Sequence, residues 1–231
     1  MSDDSRFDDV ARDYDATVQR AIGASGESVH FFADLKVRLM AQVLGRNPPT
    51  TILDFGCGIG NTTRAIGVHF PQSRVIGFDV SAESVAVARQ ISCAESNRIA
   101  YFSTTEKRLP FADGSVSAVF TSCVFHHIEL GDRELWAREL RRVLEPDTPI
   151  FLFEHNPYNP LTVRVVRQVP FDEGVVLLKP RDTTDLLQRA GFVTAPPWFY
   201  FFFPAFLRMF RLLEPAMKRI PLGAQYFVVG R

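Results

Sequence analysis

The sequence predicts one α/β domain built on an open, doubly wound, mostly parallel sheet with helices on both faces. Short apolar segments rich in β-branched residues alternate with amphipathic segments along most of the chain. Such alternation is typical of parallel strands joined by right-handed crossovers. A glycine-rich turn follows the first predicted strand directly, as in doubly wound folds that bind nucleotides. No repeat or change in composition divides the chain, so we expect a single domain over residues 1–231.

The individual elements follow from residue spacing, caps and prolines. Five short apolar segments bounded by turn residues predict strands at 50–55, 73–81, 98–104, 116–125 and 149–156. Segments with apolar residues three to four apart predict helices at 6–22, 28–44, 62–70, 82–95, 131–146 and 181–192. Ser81 is a plausible N-cap, and Pro48 ends the helix before the first strand because the residue before a proline avoids the α region.

Composition and charge exclude several classes of function. The 26 basic residues equal the 26 acidic ones, whereas binding to a nucleic-acid backbone needs a surplus of Lys and Arg. The chain has no run of 18 apolar residues, and its acidic N-terminus lacks the apolar core of a secretion signal. Its three cysteines have no metal-ligand spacing. We therefore expect a cytoplasmic protein with reduced thiols, no metal site and no nucleic-acid partner.

The decisive residues lie at the ends of the first two strands. The first strand runs into Asp54 and then into three glycines, Gly56, Gly58 and Gly60. Glycines at this point let a ligand approach the main chain closely. Asp79 ends the second strand, 19 residues after Gly60, where a carboxylate can accept hydrogen bonds from both hydroxyls of a ribose. Together these features predict a pocket for an adenosine-containing molecule.

The spacing of the glycines distinguishes between adenosine ligands. A dinucleotide fingerprint reads G-x-G-x-x-G and sets a pyrophosphate at a helix N-terminus, but here the spacing is G-x-G-x-G. Asp54 would repel a pyrophosphate, whereas it suits a ligand with an ammonium group and a sulfonium. The pattern thus disfavours a nicotinamide-dependent oxidoreductase.

The same residues carry a resemblance to a known family. DFGCGIG at 54–60 and FDVS at 78–81 resemble the first two motifs of the class I S-adenosylmethionine-dependent methyltransferases. LPFADGSVSAVFTSCVFHHI at 109–128 resembles the segment running into that family's fourth strand, and ELRRVLEP at 139–146 the helix after it. The resemblance implies a seven-stranded Rossmann-like sheet with an antiparallel last strand. It also implies a helical lid at 1–49, a cofactor-binding half at 50–155 and a substrate-side half at 156–231.

The resemblance also implies roles for individual residues toward S-adenosyl-L-methionine. The glycine loop, including Cys57, would face the methionine part, with Asp54 near its amino group. Asp79 would hold the ribose and Val80 would pack on the adenine. The adenine amine would be bound by Thr105, by Glu106 in its place, or by a backbone contact. Tyr14 is either a lid residue or a core residue.

No catalytic residue is assigned from the sequence. The sulfonium already activates the methyl group, so in-line transfer needs a base only for a protonated acceptor. The candidates at the carboxyl ends of strands are His126, His127, Glu154 and His155. A structural role is favoured for each histidine, and Glu154–His155 is the preferred pair because an acid beside an imidazole can fix its tautomer.

Two segments are expected to select the acceptor. Residues 155–174 contain Arg164 and Arg167, which either clamp an anion or solvate a helix face. Residues 198–220 are rich in aromatic and basic residues and form either a long buried sixth strand and a helix, or an exposed apolar surface. An exposed surface would suit a membrane or an apolar acceptor. We therefore expect a small-molecule, sugar or lipid-linked acceptor; the alternative is a non-catalytic domain that binds an adenosyl ligand or a partner.

Overall fold

The computed structural model describes residues 13–92 and 97–231. Seven strands form one sheet in the order β3-β2-β1-β4-β5-β7-β6. Strand β7 is antiparallel to β5 and β6, and the other neighbouring pairs are parallel. This confirms the predicted mostly parallel sheet and its antiparallel last strand. The strands are β1 (Thr51–Phe55), β2 (Arg74–Asp79), β3 (Ile99–Ser103), β4 (Ala118–Ser122), β5 (Ile150–His155), β6 (Trp198–Tyr200) and β7 (Gln225–Gly230).

Helices cover both faces of the sheet. Side chains alternate along the strands, so Leu53 of β1 packs with Leu140 on one face while Ile52 packs with Met40 on the other. Ser81 caps its helix by accepting a hydrogen bond from the N–H of Ser84 at 3.0 Å, as predicted. The helices are α1 (Tyr14–Ile22), α2 (Val29–Leu44), α3 (Asn61–His69), α4 (Ala82–Ser92), α5 (Arg133–Val143), α6 (Pro160–Val166), α7 (Pro180–Arg189) and α8 (Glu214–Met217).

The strand order predicts a ligand site at the carboxyl ends of the central strands. The order reverses between β1 and β4, and ligands of open α/β sheets bind beyond the carboxyl ends of the strands at such a reversal. The first half of the predicted helix at 6–22 and the cysteine at position 93 lie outside the described residues. Across the part of the chain that is described, no helix combines the length and hydrophobicity needed to cross a bilayer.

The prediction of a long buried sixth strand was wrong. Strand β6 has three residues because Phe201 adopts a left-handed φ of 57°. The carboxylate of Glu214 then accepts hydrogen bonds from the N–H groups of Phe201, Phe202 and Phe203 at 3.0–3.2 Å, in place of a neighbouring strand. A 3-10 helix at Ala205–Leu213 follows.

This 3-10 helix forms an exposed apolar surface, which we call the tail surface. The exposed fractions of Phe206, Met209, Leu212 and Leu213 are 78%, 73%, 89% and 54%. The aromatic segment is thus divided: Phe199, Tyr200 and Phe201 are buried, whereas Phe206 and Phe210 are exposed.

Candidate active site

The glycine loop between β1 and α3 is shaped by steric constraints. Gly56 has a φ of 75°, and a Cβ at this position would lie 2.2 Å from a methyl group of Val124. Gly58 has a φ of 51°, but a Cβ there would meet nothing within 4 Å. Gly60, with a φ of 81°, begins α3 as its N-cap. The protein therefore fills the space beside Gly56 and leaves the main chain at Gly58 open to a ligand.

Asp79 holds the glycine loop in place from the end of β2. One carboxylate oxygen accepts a hydrogen bond from the N–H of Gly58 at 2.7 Å, and the other accepts one from the N–H of Ser81 at 3.0 Å. A carboxylate has about four lone-pair sites, so Asp79 can also accept hydrogen bonds from a ligand. The predicted ribose residue is thus in direct contact with the predicted methionine-binding loop.

The side chains of Asp54, in β1, and of Cys57, within the loop, are both buried. Asp54 is 1% exposed and accepts a hydrogen bond from the Thr63 hydroxyl at 2.6 Å. Burial raises the pKa of Asp54 to about 7 despite this hydrogen bond, so a nearby ammonium group would stabilise its ionised form. Cys57 packs in an apolar cluster with Val85 and Tyr101, and burial raises the pKa of its thiol well above the usual range.

The predicted adenine contacts lie beside Asp79. Val80 is half-buried and packs against the main core. Asp79 pairs with Ser103 in the sheet, and Thr105 and Glu106 are exposed in the loop that starts directly after Ser103. Their assignment to the adenine amine stays a prediction.

Tyr14 of α1 lies between the loop and a second group of polar residues. Its ring stacks on Phe171 with a centroid distance of 5.2 Å. Burial raises the pKa of Tyr14, and the charges of Cys123, Asp172, Asp15 and Asp79 raise it further. Asp15 also accepts a hydrogen bond from the Asn61 side chain at 2.6 Å, which ties α1 to the start of α3. This position is consistent with a lid.

The second group, which we call the histidine cluster, consists of His126, His127, Glu154 and Asp172. His126 Nδ1 lies 2.6 Å from Glu154 Oε2, and both side chains are buried. Asp172 Oδ1 lies 3.2 Å from His127 Nε2 and 3.8 Å from His126 Nε2. The loop after β4, the end of β5 and the segment after α6 thus meet at one point.

The sequence-based pairing of Glu154 with His155 is corrected here. Consecutive residues of a strand point to opposite faces, so Glu154 contacts His126, while His155 Nδ1 lies 3.3 Å from Gln225 Nε2. Asp172 was missed as a cluster residue, since it is 45 positions after His127 and no spacing motif links the two. Arg164 and Arg167 are both exposed.

The carboxylates of the cluster favour a positive charge between them. Burial alone lowers the pKa of His126, but the charge of Glu154 and the nearby carboxylate of Asp172 outweigh it and raise the pKa overall. Burial raises the pKa of Asp172, but its interactions with His126 and His127 lower it overall. A proton or a metal ion would supply the favoured charge.

Cys123, which begins the loop to the cluster, is a second residue that sequence reasoning did not select. It has a φ of 58°, and its sulfur lies 3.7 Å from Lys36 Nζ. Burial raises the pKa of its thiol, but the charges of His155 and Lys36 outweigh this effect and lower the pKa to about 6.

A cavity of about 290 Å³ opens beside the histidine cluster. Its lining combines polar and apolar residues, and Arg133 lies in its wall. The guanidinium donates hydrogen bonds to the carbonyl oxygens of Ile128, His126 and Val176 at 2.9–3.2 Å. The lining residues are His126, His127, Ile128, Glu129, Leu130, Arg133, Glu173, Gly174, Val175 and Val176.

Comparisons with known proteins find methyltransferases. A family model of the methyltransferase domain matches residues 52–147. Trans-aconitate 2-methyltransferase of Azoarcus sp. (strain BH72) is 27% identical over 192 residues, 82% of this chain and 70% of that protein. The 2-methyl-6-phytyl-1,4-hydroquinone methyltransferase of Synechocystis sp. is 31% identical over 140 residues, 59% of this chain and 41% of that protein.

A solved structure gives the same fold. The crystal structure of a methyltransferase of Thermotoga maritima, a possible histamine N-methyltransferase, superposes with a TM-score of 0.66 at 16% identity over 97% of both chains. The sheet is that of the Rossmann-like methyltransferase fold. The matched domain, the relatives and the fold together support a class I S-adenosylmethionine-dependent methyltransferase with S-adenosyl-L-methionine as its cofactor.

Proposed function

We propose that the chain methylates a small molecule that has a polar nucleophilic group and an otherwise apolar structure. The observation that supports this is the cavity beside the histidine cluster, whose lining includes the imidazoles of His126 and His127 together with Ile128, Leu130 and Val175. A site with an apolar wall and few polar groups binds a ligand and fixes its orientation at the same time.

The position of the cavity supports methyl transfer to its occupant. Val124, in the loop after β4, contacts Gly56 of the glycine loop. His126 lies two residues after Val124 in that loop after β4. Transfer requires the acceptor atom about 3 Å from the methyl group, opposite the sulfur. In the proposed arrangement the histidine cluster orients the acceptor atom toward the glycine loop, and Tyr14 covers the acceptor and the cofactor.

The charges of the cavity argue against a polycarboxylate acceptor such as the trans-aconitate named for the Azoarcus protein. Glu129 and Glu173 line the cavity and repel anions. The guanidinium of Arg133 is engaged by three carbonyl oxygens, so it is a poor carboxylate clamp. The Synechocystis relative is named for a hydroquinone with a phytyl chain, which has the proposed character.

We expect a hydroquinone bearing an apolar chain to be methylated with at least a ~10-fold higher kcat/KM than the same ring without the chain, since each buried CH₂ contributes about 0.8 kcal/mol. The assay follows formation of S-adenosylhomocysteine, with trans-aconitate as the third acceptor. Val176→Asp should lower kcat/KM for the chain-bearing compound, whereas Val193→Asp, at an 80% exposed position outside the cavity, should not. A higher kcat/KM for trans-aconitate would overturn the proposal.

We propose further that the tail surface contacts a lipid bilayer, where apolar or lipid-linked acceptors are found. Its outward apolar side chains suit the interface between headgroups and acyl chains. The basic residues contribute less than the sequence suggests, because most have partners in the fold. Arg211 pairs with Glu27 at 2.8 Å, Lys218 lies over the Trp198 ring, and Arg219 binds two carbonyl oxygens.

We expect the protein to sediment with phosphatidylcholine vesicles and to gain less than ~10-fold in affinity when anionic lipid is added, since one Lys or Arg near the surface contributes about 1 kcal/mol. The double variant Phe206→Asp/Leu212→Asp should stay in the supernatant. Val68→Asp, at a position that is 77% exposed on α3, is the matched control and should sediment as the wild type does. Wild-type protein that sediments with neither vesicle contradicts the membrane contact.

A further inference from the structure

The histidine cluster contains a set of metal-donor atoms that methyl transfer does not by itself require. His126 Nε2, His127 Nε2 and Asp172 Oδ1 lie within 4.8 Å of one another. The side chains of His126 and Asp172 are 1% and 6% exposed, and that of His127 is 13% exposed. Two imidazoles and one carboxylate are a donor set that binds Zn²⁺ and other first-row divalent ions.

The separation of His127 Nε2 and Asp172 Oδ1 fits two ligands of a shared ion. Two ligand atoms that each lie about 2.1 Å from a metal are separated by roughly 3.0–3.4 Å, close to the 3.2 Å between His127 Nε2 and Asp172 Oδ1. His126 Nε2 lies 3.8 Å from Asp172 Oδ1, which exceeds the length of an N–H···O hydrogen bond. A proton on this nitrogen would therefore leave it unsatisfied.

His126 Nε2 is also the unpartnered atom of the cluster. It is buried and has no hydrogen-bond partner among the described residues, although its nearest acidic oxygen is that of Asp172. Buried polar nitrogens are rarely left without a partner. Coordination to an ion between the two histidines and Asp172 would satisfy it, once the 3.8 Å between His126 Nε2 and Asp172 Oδ1 shortens to the spacing of two ligands.

Glu154 supplies the outer support that metal-binding histidines usually have. It contacts Nδ1 of His126 at 2.6 Å and so directs the lone pair of Nε2 toward the other two donors. A carboxylate on the far nitrogen of a ligating histidine fixes its tautomer and raises its basicity as a ligand. The same side chain is 0% exposed, so this support is shielded from water.

We propose that His126, His127 and Asp172 bind one divalent transition-metal ion, Zn²⁺ or a close relative, with Glu154 positioning His126. With three protein donors, the ion keeps at least one position for a water molecule or an acceptor oxygen. Both histidines line the cavity, so this position lies beside the proposed acceptor. The inference does not depend on which acceptor is used, and its test needs neither cofactor nor turnover.

The test is metal binding by untagged protein that has been stripped with a chelator. We expect one Zn²⁺ per chain by calorimetry and elemental analysis, with submicromolar affinity. His127→Ala and Asp172→Asn should weaken binding at least ~100-fold, and Glu154→Gln by ~10–100-fold, as for other outer-shell partners. His69→Ala is the matched control, because His69 also contacts a carboxylate, Asp34 at 2.6 Å, and should leave binding unchanged.

Two further readouts separate coordination from a structural role. Co²⁺ should give the d–d absorption of nitrogen and oxygen ligation, and Zn²⁺ should raise the Tm of the wild type but not of Asp172→Asn. A thiolate charge-transfer band would indicate Cys123 instead and overturn the proposed ligand set. Equal affinity for Zn²⁺ in wild type and in a folded Asp172→Asn variant, checked by circular dichroism, would overturn the site itself.

Discussion

Replacing Asp79 with alanine is expected to weaken S-adenosylmethionine binding by about 10²–10⁴-fold. In the proposed complex the carboxylate accepts hydrogen bonds from both ribose hydroxyls, and a hydrogen bond to a charged group is worth about 1.5–3 kcal/mol. The substitution also removes the acceptor for the N–H of Gly58, which lies 2.7 Å from Asp79 Oδ2. Calorimetric titration with S-adenosylmethionine and S-adenosylhomocysteine measures the loss.

A ligand analogue separates these two effects of the Asp79→Ala substitution. S-adenosylhomocysteine without its ribose 2′-hydroxyl should bind the wild type more weakly than the parent does, but the two ligands should bind Asp79→Ala alike. Asp113→Ala removes a 77% exposed side chain that pairs with Arg142, and it should leave both affinities unchanged. If removal of the 2′-hydroxyl weakens ligand binding by the same factor in the wild type and in Asp79→Ala, the Asp79 carboxylate does not bind the ribose.

The parts of the fold that the sequence predicted depend on local patterns. Strand β1 is a short apolar run that ends in glycines, and the α4 helix starts at the predicted cap Ser81. Both signals lie within a few residues of the element they define. The residues after Tyr200 have equally strong strand character, but Glu214, more than ten residues later, takes their N–H groups. A local pattern contains no information about such a distant contact.

The same distinction explains which site residues could be predicted. The proximity of the glycine loop and Asp79 could be expected from the sequence, because both directly follow or end neighbouring parallel strands. The histidine cluster instead joins the loop after β4, the end of β5 and the segment after α6. Which histidine meets Glu154 depends on the left-handed turn at Cys123, and Asp172 follows Phe171, whose ring stacks on Tyr14 from a distant part of the chain.

Replacing Gly58 with alanine is expected to abolish cofactor binding while the protein stays folded. Gly58 has a φ of 51° and space around its Cα, since a Cβ would meet no protein atom within 4 Å. The left-handed conformation costs a residue with a side chain about 1–2 kcal/mol, which a domain of this size can tolerate. The added methyl group would occupy the space through which the methionine part of the cofactor approaches the main chain, so we expect at least ~100-fold weaker binding.

Gly114→Ala is the matched control for the Gly58→Ala substitution. Gly114 has a φ of 60°, and a Cβ there would also meet nothing within 4 Å, but it lies in the exposed turn before β4 rather than in the cofactor loop. Urea denaturation should show a similar loss of unfolding free energy for both variants, and calorimetry should show loss of cofactor binding for Gly58→Ala alone. The two glycines have similar left-handed φ values, so the two alanine variants differ mainly in where the methyl group is added. If both variants bind the cofactor equally strongly, the main chain at Gly58 is not part of the cofactor site.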